Sequence, residues 1–235
     1  MVKIKTFGSS SAGNSYLLSE EGSALLLEAG IQPKKMTLNW SEVEGLLITH
    51  EHNDHAKYAK DYIRRGAFNI YCTPGTAKKI KGVENYRINT CSYSEPFKIN
   101  DWQIIPFKTE HDVVEPAGFL IRSPKNKKIL FATDTYYIRY KFPGVTHFLI
   151  ECNFSIDILN QNKEAGKIDG HQYKRILKSH FELNNLIKFF QANDLSKAEQ
   201  IHLIHLSDRN SNEEYFINKV QSATGIPTYI ADKSD

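Results

Sequence analysis

What this chain can fold into is constrained most by eight residues, Ile48-Thr49-His50-Glu51-His52-Asn53-Asp54-His55. Three imidazoles and two carboxylates stand in that run, and each is a potential metal ligand. The apolar lead-in Gly45-Leu46-Leu47-Ile48 reads as a short buried strand. Beyond it Ala56, Ala59 and Ile63 recur at helical spacing, which predicts a helix from about Asp54 to Arg65. The polar side chains therefore fall on a tight strand-to-helix turn. His50 and His52, two residues apart at a strand end, can point the same way. Asp54 and His55 lie on the turn, where a second metal can sit beside the first. Imidazole and carboxylate suit zinc, manganese or iron, and the lack of thiolates argues against a structural zinc finger. Glu51 alternates away from the two histidines and reads as a solvated carboxylate.

Composition bounds the rest. A chain of 235 residues can form one domain with a sizeable core, and no repeat, linker or low-complexity segment divides it, so a single domain over 1–235 is expected. The net charge of +3 is not that of a histone-like binder, so any nucleic-acid surface must be local. Cys72, Cys91 and Cys152 are widely spaced and form no Cys-x-x-Cys, which suggests buried thiols in a reduced, cytoplasmic protein. Met1 to Lys5 alternates polar and apolar as a first strand would, and no apolar run approaches membrane-span length. Neither a secretion signal nor an anchor is expected.

Taken in order, Val2 to Phe7 predicts a strand, and Gly8 to Ser15 a loop of glycine and hydroxyl residues. Ser10 and Asn14 of that loop are candidates to meet an anion, although the loop taken by itself reads better as an ordinary hairpin connection. Strands are expected at Tyr16–Leu18, Ala24–Leu27, Asn69–Cys72, Trp102–Phe107, Gly118–Ile121, Lys128–Phe131, His147–Glu151, Ile201–His205 and Thr228–Ile230. Thr73-Pro74 should cap and open a helix through about Ile80. Further helices are expected at 169–178, 182–191 and 212–220. His111, Asp134 and His205 each follow an apolar strand, where α/β sites collect. His202 points to the opposite face from His205, and His147 opens a strand; both read as packing. His171 and His180 flank a predicted helix. Two halves of strands and helices suggest two sheets packed face to face, with helices outside.

The ordered set His50-x-His52-x-Asp54-His55, His111, Asp134 and His205 resembles that of the metallo-β-lactamase-fold hydrolases over nearly the whole chain. The resemblance implies an α/β fold, an αββα four-layer sandwich of two mixed β-sheets flanked by helices. It also implies two divalent ions, zinc or manganese. One would sit on His50, His52 and His111; the other on Asp54, His55 and His205, with Asp134 bridging. Finer features resemble the YycJ/WalJ-type exonuclease branch: the Gly8–Ser15 loop, Glu110-His111-Asp112-Val113-Val114-Glu115-Pro116-Ala117-Gly118, Glu151-Cys152-Asn153 and His205-Leu206-Ser207. Three positions depart from the pattern. Glu28 stands where Asp is usual, Glu182 where Ser is usual, and Asp208 where Asn is common.

A residual positive charge on a two-metal centre suits a phosphodiester, with a bridging hydroxide as nucleophile. Asp54 is the candidate to orient that water and His180 the candidate proton donor. Tyr136, Arg139 and Lys141 follow Asp134, and Lys174, Arg175 and Lys178 share a helix before His180; phosphates and bases could meet both sets. The expected function is a nuclease, a 5′-exonuclease with DNA as substrate. The alternatives are a phosphodiesterase of cyclic or nucleotide diesters and, further off, a thioester or lactam hydrolase. Asp54 between His52 and His55 argues against the class B lactamases. Only 22 residues lie between His111 and Asp134, too few for the tRNA-gripping arm of typical ribonuclease Z. The 70 residues between Asp134 and His205 are too few for the cap domain of cleavage-factor-type nucleases.

Overall fold

The structure is a computed structural model that describes residues 1–231. The last four positions of the expected domain lie outside them. The strands fall in two mixed sheets flanked by helices, as the resemblance implies. Contacts cluster into two compact units, Met1–Lys108 with Val113–Lys127, and Thr109–Asp112 with Lys128–Ala231. No helix among the described residues is long and apolar enough to cross a membrane.

The first unit opens with β1 (Lys3–Ser10), β2 (Gly13–Glu20) and β3 (Ser23–Leu27), followed by β4 (Val43–Leu47). Next come α1 (Asn53–Ala56), α2 (Ala59–Ile63), β5 (Asn69–Cys72), α3 (Pro74–Ala77) and β6 (Ile88–Thr90). β7 (Phe97–Ile99), β8 (Trp102–Lys108) and β9 (Ala117–Arg122) complete it. Strands β1 to β6 lie side by side in sequence order. The first pairs are antiparallel, and those from β3 to β6 are parallel. Central strand β3 reads as a nearly continuous apolar run because both faces are covered. On one face β7 and β8 pack across: Tyr71 stacks on Phe97 at 5.4 Å, and a Cβ at Gly45 would come within 2.8 Å of Ile99. Buried Trp102 donates its indole N–H to Ser23 Oγ at 2.7 Å. On the other face Leu26, Ile48 and Ile70 meet Tyr62, Ile63 and Phe68.

The loop expected over Gly8–Ser15 is a tight hairpin connection, shorter than the eight residues read for it, with Ser10 opposite Gly13 across Ser11 and Ala12. The expected single helix after His55 is broken in two. Tyr58 N donates to Ala29 O at 2.9 Å, Ala29 N donates to His55 O at 2.6 Å, and Asn14 Nδ2 donates to Asp54 O at 3.3 Å. These tertiary bonds replace the helical ones that would have carried α1 into α2. Gly30 fits under that turn only because it lacks a Cβ, which would lie 1.8 Å from Asp54 O.

The second unit contains β10 (Lys128–Ala132), β11 (His147–Glu151), α4 (Ile156–Glu164), α5 (Gly170–Ser179) and α6 (Leu183–Gln191). β12 (Gln200–Ile204), α7 (Glu213–Thr224) and β13 (Thr228–Ile230) follow. The four strands are parallel and adjacent in sequence order. α6 buries Leu183, Leu186, Phe189 and Phe190, and Phe190 meets Phe148 of β11 edge-on at 5.3 Å. Asp169, Glu182 and Asn212 cap α5, α6 and α7 by accepting from backbone N–H groups three residues on. The unusual Glu182 is thus a buried helix cap that also accepts from Ile156 N at 3.4 Å. The three cysteines are free and buried.

Candidate metal centre and adjoining cleft

Each unit places its polar residues where parallel strands end. In the first unit, Glu28 follows β3 and His50 follows β4. Thr49 Oγ1 lies 2.9 Å from His50 Nδ1, which directs the chemistry of that ring to Nε2. The ring of His50 lies 4.7 Å from that of His52 and 4.2 Å from that of His55. Asp54 Oδ2 is 3.2 Å from His55 Nε2. The four side chains of the motif therefore converge on one turn, with His50 and His55 buried and His52 exposed.

Beneath the turn lies Glu28, fully buried. Its carboxylate accepts from Thr49 N at 3.3 and 3.4 Å and lies 3.6 Å from His55 Nδ1. Burial raises its pKa, opposed by His55 and the bonds from Thr49. Its φ of 64° is left-handed, which no local propensity favours in Glu. Asn14 is also fully buried. Its amide reaches Ser10 O at 3.0 Å and His55 Nε2 at 3.2 Å, and it accepts from Tyr16 OH at 3.2 Å. Ser10 is buried and accepts from Ala12 N at 3.2 Å. Both side chains, expected to meet an anion, are committed to holding the hairpin and the motif turn.

In the second unit, Asp134 follows β10, Glu151 ends β11 and His205 follows β12. One donor atom from each of Asp134, Glu151, His180 and His205 lies within 4.8 Å of the others. Glu151 organises them. Its Oε1 is 2.6 Å from His180 Nδ1 and 3.1 Å from His205 Nδ1, and its Oε2 accepts from Thr135 N at 2.9 Å and Phe181 N at 3.2 Å. Burial pushes the carboxyl of Glu151 up, but the charge of His180 and the histidine bonds outweigh it and hold it below the usual range. His180 loses hydration too, yet Glu151 and Asp134 push its pKa up to about 10. Asn153 Nδ2 donates to His205 O at 2.7 Å. With Nδ1 of His205 turned to Glu151, its Nε2 is the nitrogen suited to a metal. Asp134 (φ 46°) and His205 (φ 54°) are left-handed like Glu28. Strained backbone at such polar strand ends is typical of functional sites.

His111 belongs to this unit through Glu110, whose N donates to Thr135 Oγ1 at 3.0 Å and whose O accepts from Tyr136 N at 3.3 Å. The rings of His111 and His180 are 6.1 Å apart. Beside them opens a cleft of about 760 Å³, whose lining includes His111, Tyr136, His171, Lys174, Arg175 and Lys178 together with acidic Glu110 and Asp112. The expected cluster after Asp134 is divided. Tyr136 lines the cleft, Arg139 is paired with Glu110, and Lys141 is exposed outside the lining. Glu28, Glu151 and Asn153 had no assigned part in the site from sequence. Glu151 was visible as a carboxylate at a strand end, but its grip on two distant histidines is a tertiary fact.

Imidazoles and carboxylates without thiolate fit a divalent ion such as zinc or manganese, and Asp134, Glu151, His180 and His205 of the second unit form such a donor set.

A family described as "Beta-lactamase superfamily domain" matches residues 24–205. The chain is 26% identical to the exodeoxyribonuclease WalJ of Streptococcus pneumoniae, covering 90% of this chain and 84% of that protein. It is 25% identical to the exodeoxyribonuclease YycJ of Bacillus anthracis, again over 90% and 84%. Among solved structures, the metallo-beta-lactamase fold protein YhfI from Bacillus subtilis matches with a TM-score of 0.74 at 14% identity, covering 100% of this chain and 98% of that one.

Proposed function

From the premise that this chain belongs to the beta-lactamase superfamily, and is a metal-dependent hydrolase, we propose that it is a two-metal nuclease, a 5′-exonuclease acting on DNA. The observation that carries this reading is the cluster Asp134, Glu151, His180 and His205 beside a cleft lined by Lys174, Arg175 and Lys178. The names of the curated relatives point to the same chemistry.

In this reading His50, His52 and His111 hold one ion; Asp54, His55 and His205 hold the other, and Asp134 is shared. The bound ions would supply an acidic centre that makes water nucleophilic at neutral pH and offsets phosphate charge. The chain's own residues do the rest. Asp54 accepts a hydrogen bond from the attacking water and aligns it. Glu28 faces Nδ1 of His55 and orients that ring, and Glu151 orients that of His205. His180 Nδ1 donates to Glu151, which keeps the imidazolium formed and leaves the Nε2 proton for the departing sugar oxygen. Lys174, Arg175 and Lys178 bind the phosphates of the strand, and Tyr136 offers a face for a base.

A substrate panel tests this. Single- and double-stranded DNA, RNA and bis-p-nitrophenyl phosphate are incubated with the zinc- and manganese-loaded protein. Mononucleotides released from the 5′ end of DNA support the proposal. Hydrolysis of the small diester with no cleavage of any polynucleotide would replace it with a small-molecule phosphodiesterase.

A further inference from the structure

A second basic cleft lies in the first unit, lined by none of the residues assigned above. It is about 390 Å³ and lies between the turn at Gln32–Lys34 and α2. Its charged lining is Lys34, Arg64, Arg65 and Asp61, three cations against one anion. Among the described residues, no carboxylate lies within ion-pair distance of Lys34, Arg64 or Arg65. Three like charges lining one cleft repel one another. An anion bound between them would relieve the repulsion.

The cleft is built rather than incidental. Its turn side is fastened to the metal-motif turn by Ala29 N to His55 O at 2.6 Å and Tyr58 N to Ala29 O at 2.9 Å. Its helix side is fixed by Arg87, which donates to Ile63 O at 3.3 Å, to Gly66 O at 3.2 Å and to Phe68 O. Arg64 and Arg65 stand between those carbonyls, so their backbone is held without their own side chains taking part. Guanidinium groups match phosphate oxygens two bonds at a time. The only aromatic ring in the lining, Tyr58, already has the ammonium of Lys57 over its face at 5.3 Å. The cleft therefore offers three cations and a single aromatic ring, which suits a sugar-phosphate backbone better than a stack of bases.

We infer that Lys34, Arg64 and Arg65 form a second nucleic-acid contact, which holds the phosphodiester backbone of the substrate strand away from the cleaved bond. The inference rests on the nuclease reading. It predicts that affinity for long strands, but not chemistry on a small diester, depends on these three side chains.

The test uses the metal-loaded full chain and a fluorescent phosphorothioate-linked single-stranded 20-mer, which resists cleavage. Binding is measured across salt concentrations. Each backbone contact to a single strand contributes about 0.7 to the slope of log affinity against log salt. The variant K34A/R64A/R65A should therefore flatten the slope by about 2 and weaken binding, with bis-p-nitrophenyl phosphate hydrolysis and melting temperature as in the unaltered protein. D61N, which removes the opposing charge, should tighten binding. An unchanged slope in the triple variant, with DNA still cleaved, overturns this inference and leaves the nuclease reading standing. A mononucleotide that displaces the 20-mer from the cleft at equal concentration overturns it in favour of a nucleotide pocket. Unaltered protein that neither binds nor cleaves DNA sinks the nuclease reading itself.

Discussion

Three residues of the two half-sites, Glu28, Asp134 and His205, hold left-handed backbone at strand ends. Asp and His visit this region more readily than most side chains, but Glu does not, so tertiary bonds must hold Glu28 there. Its carboxylate receives Thr49 N and faces His55, and the extra methylene relative to the usual Asp is fully buried. Glu28→Gln keeps the shape but removes the carboxyl group that faces His55 Nδ1. Zinc affinity should fall by about 10- to 100-fold, read by chelator competition; an unchanged affinity would show that Glu28 only packs. His180 makes a sharper distinction. A sugar alkoxide leaves poorly unless protonated, whereas p-nitrophenolate needs no such help. His180→Ala should slow DNA cleavage by about a hundredfold and leave bis-p-nitrophenyl phosphate hydrolysis within a few-fold. Equal losses on both substrates would assign His180 to binding or folding. The motif residues were legible because each follows an apolar strand. The pairing of Glu151 with His180 was not, because 28 residues of chain separate them and no period links them.

Among the elements, strands were read well because short apolar runs bounded by turn residues leave few alternatives. Helices were read less well where tertiary bonds compete. The helix after His55 is broken by Ala29 and Asn14, neither of which is near it in sequence. α4 was missed because Ile156-Asp157-Ile158-Leu159 followed by Asn160-Gln161-Asn162 carries no clear helical stripe. The end of α2 depends on Arg87, which also donates to Asn69 Oδ1 at 3.0 Å. Arg87→Ala would leave several carbonyls unsatisfied and should cost about 2–3 kcal/mol in denaturant unfolding; a loss under ~0.5 kcal/mol would mean that water replaces the guanidinium. On β12, His202 bonds Gln200 Oε1 at 3.1 Å and packs 5.3 Å from the ring of Tyr229. Burial and the neighbouring His147 push its pKa down to about 4. The folded state thus prefers neutral His202, so its share of stability is complete above the unfolded value of about 6.5 and is lost as pH falls towards 4. His202→Gln should remove about 1–2 kcal/mol of that acid sensitivity, seen as a smaller drop in urea midpoint between pH 7 and pH 4.5. Parallel curves for the two proteins would contradict this.

For the whole molecule, both units present donor residues at the ends of parallel strands, the arrangement that α/β folds use for their sites. The order of the ligand set along the chain carried the family; charge balance carried little, since a net +3 conceals two local basic clefts. The basic residues after Asp134 and those of α5 were grouped from sequence, and only the latter line the cleft with Tyr136. The central claim is that one shared carboxylate, Asp134, joins metal binding to nuclease activity. The most direct measurement is the metal content of the unaltered protein and of Asp134→Ala by mass spectrometry, alongside cleavage of 5′-labelled single-stranded DNA by the same samples. The account predicts up to two transition-metal ions per chain in the unaltered protein, together with release of the label. It predicts loss of metal and of cleavage together in Asp134→Ala. Full metal content in Asp134→Ala, or cleavage that persists after chelation, would contradict it.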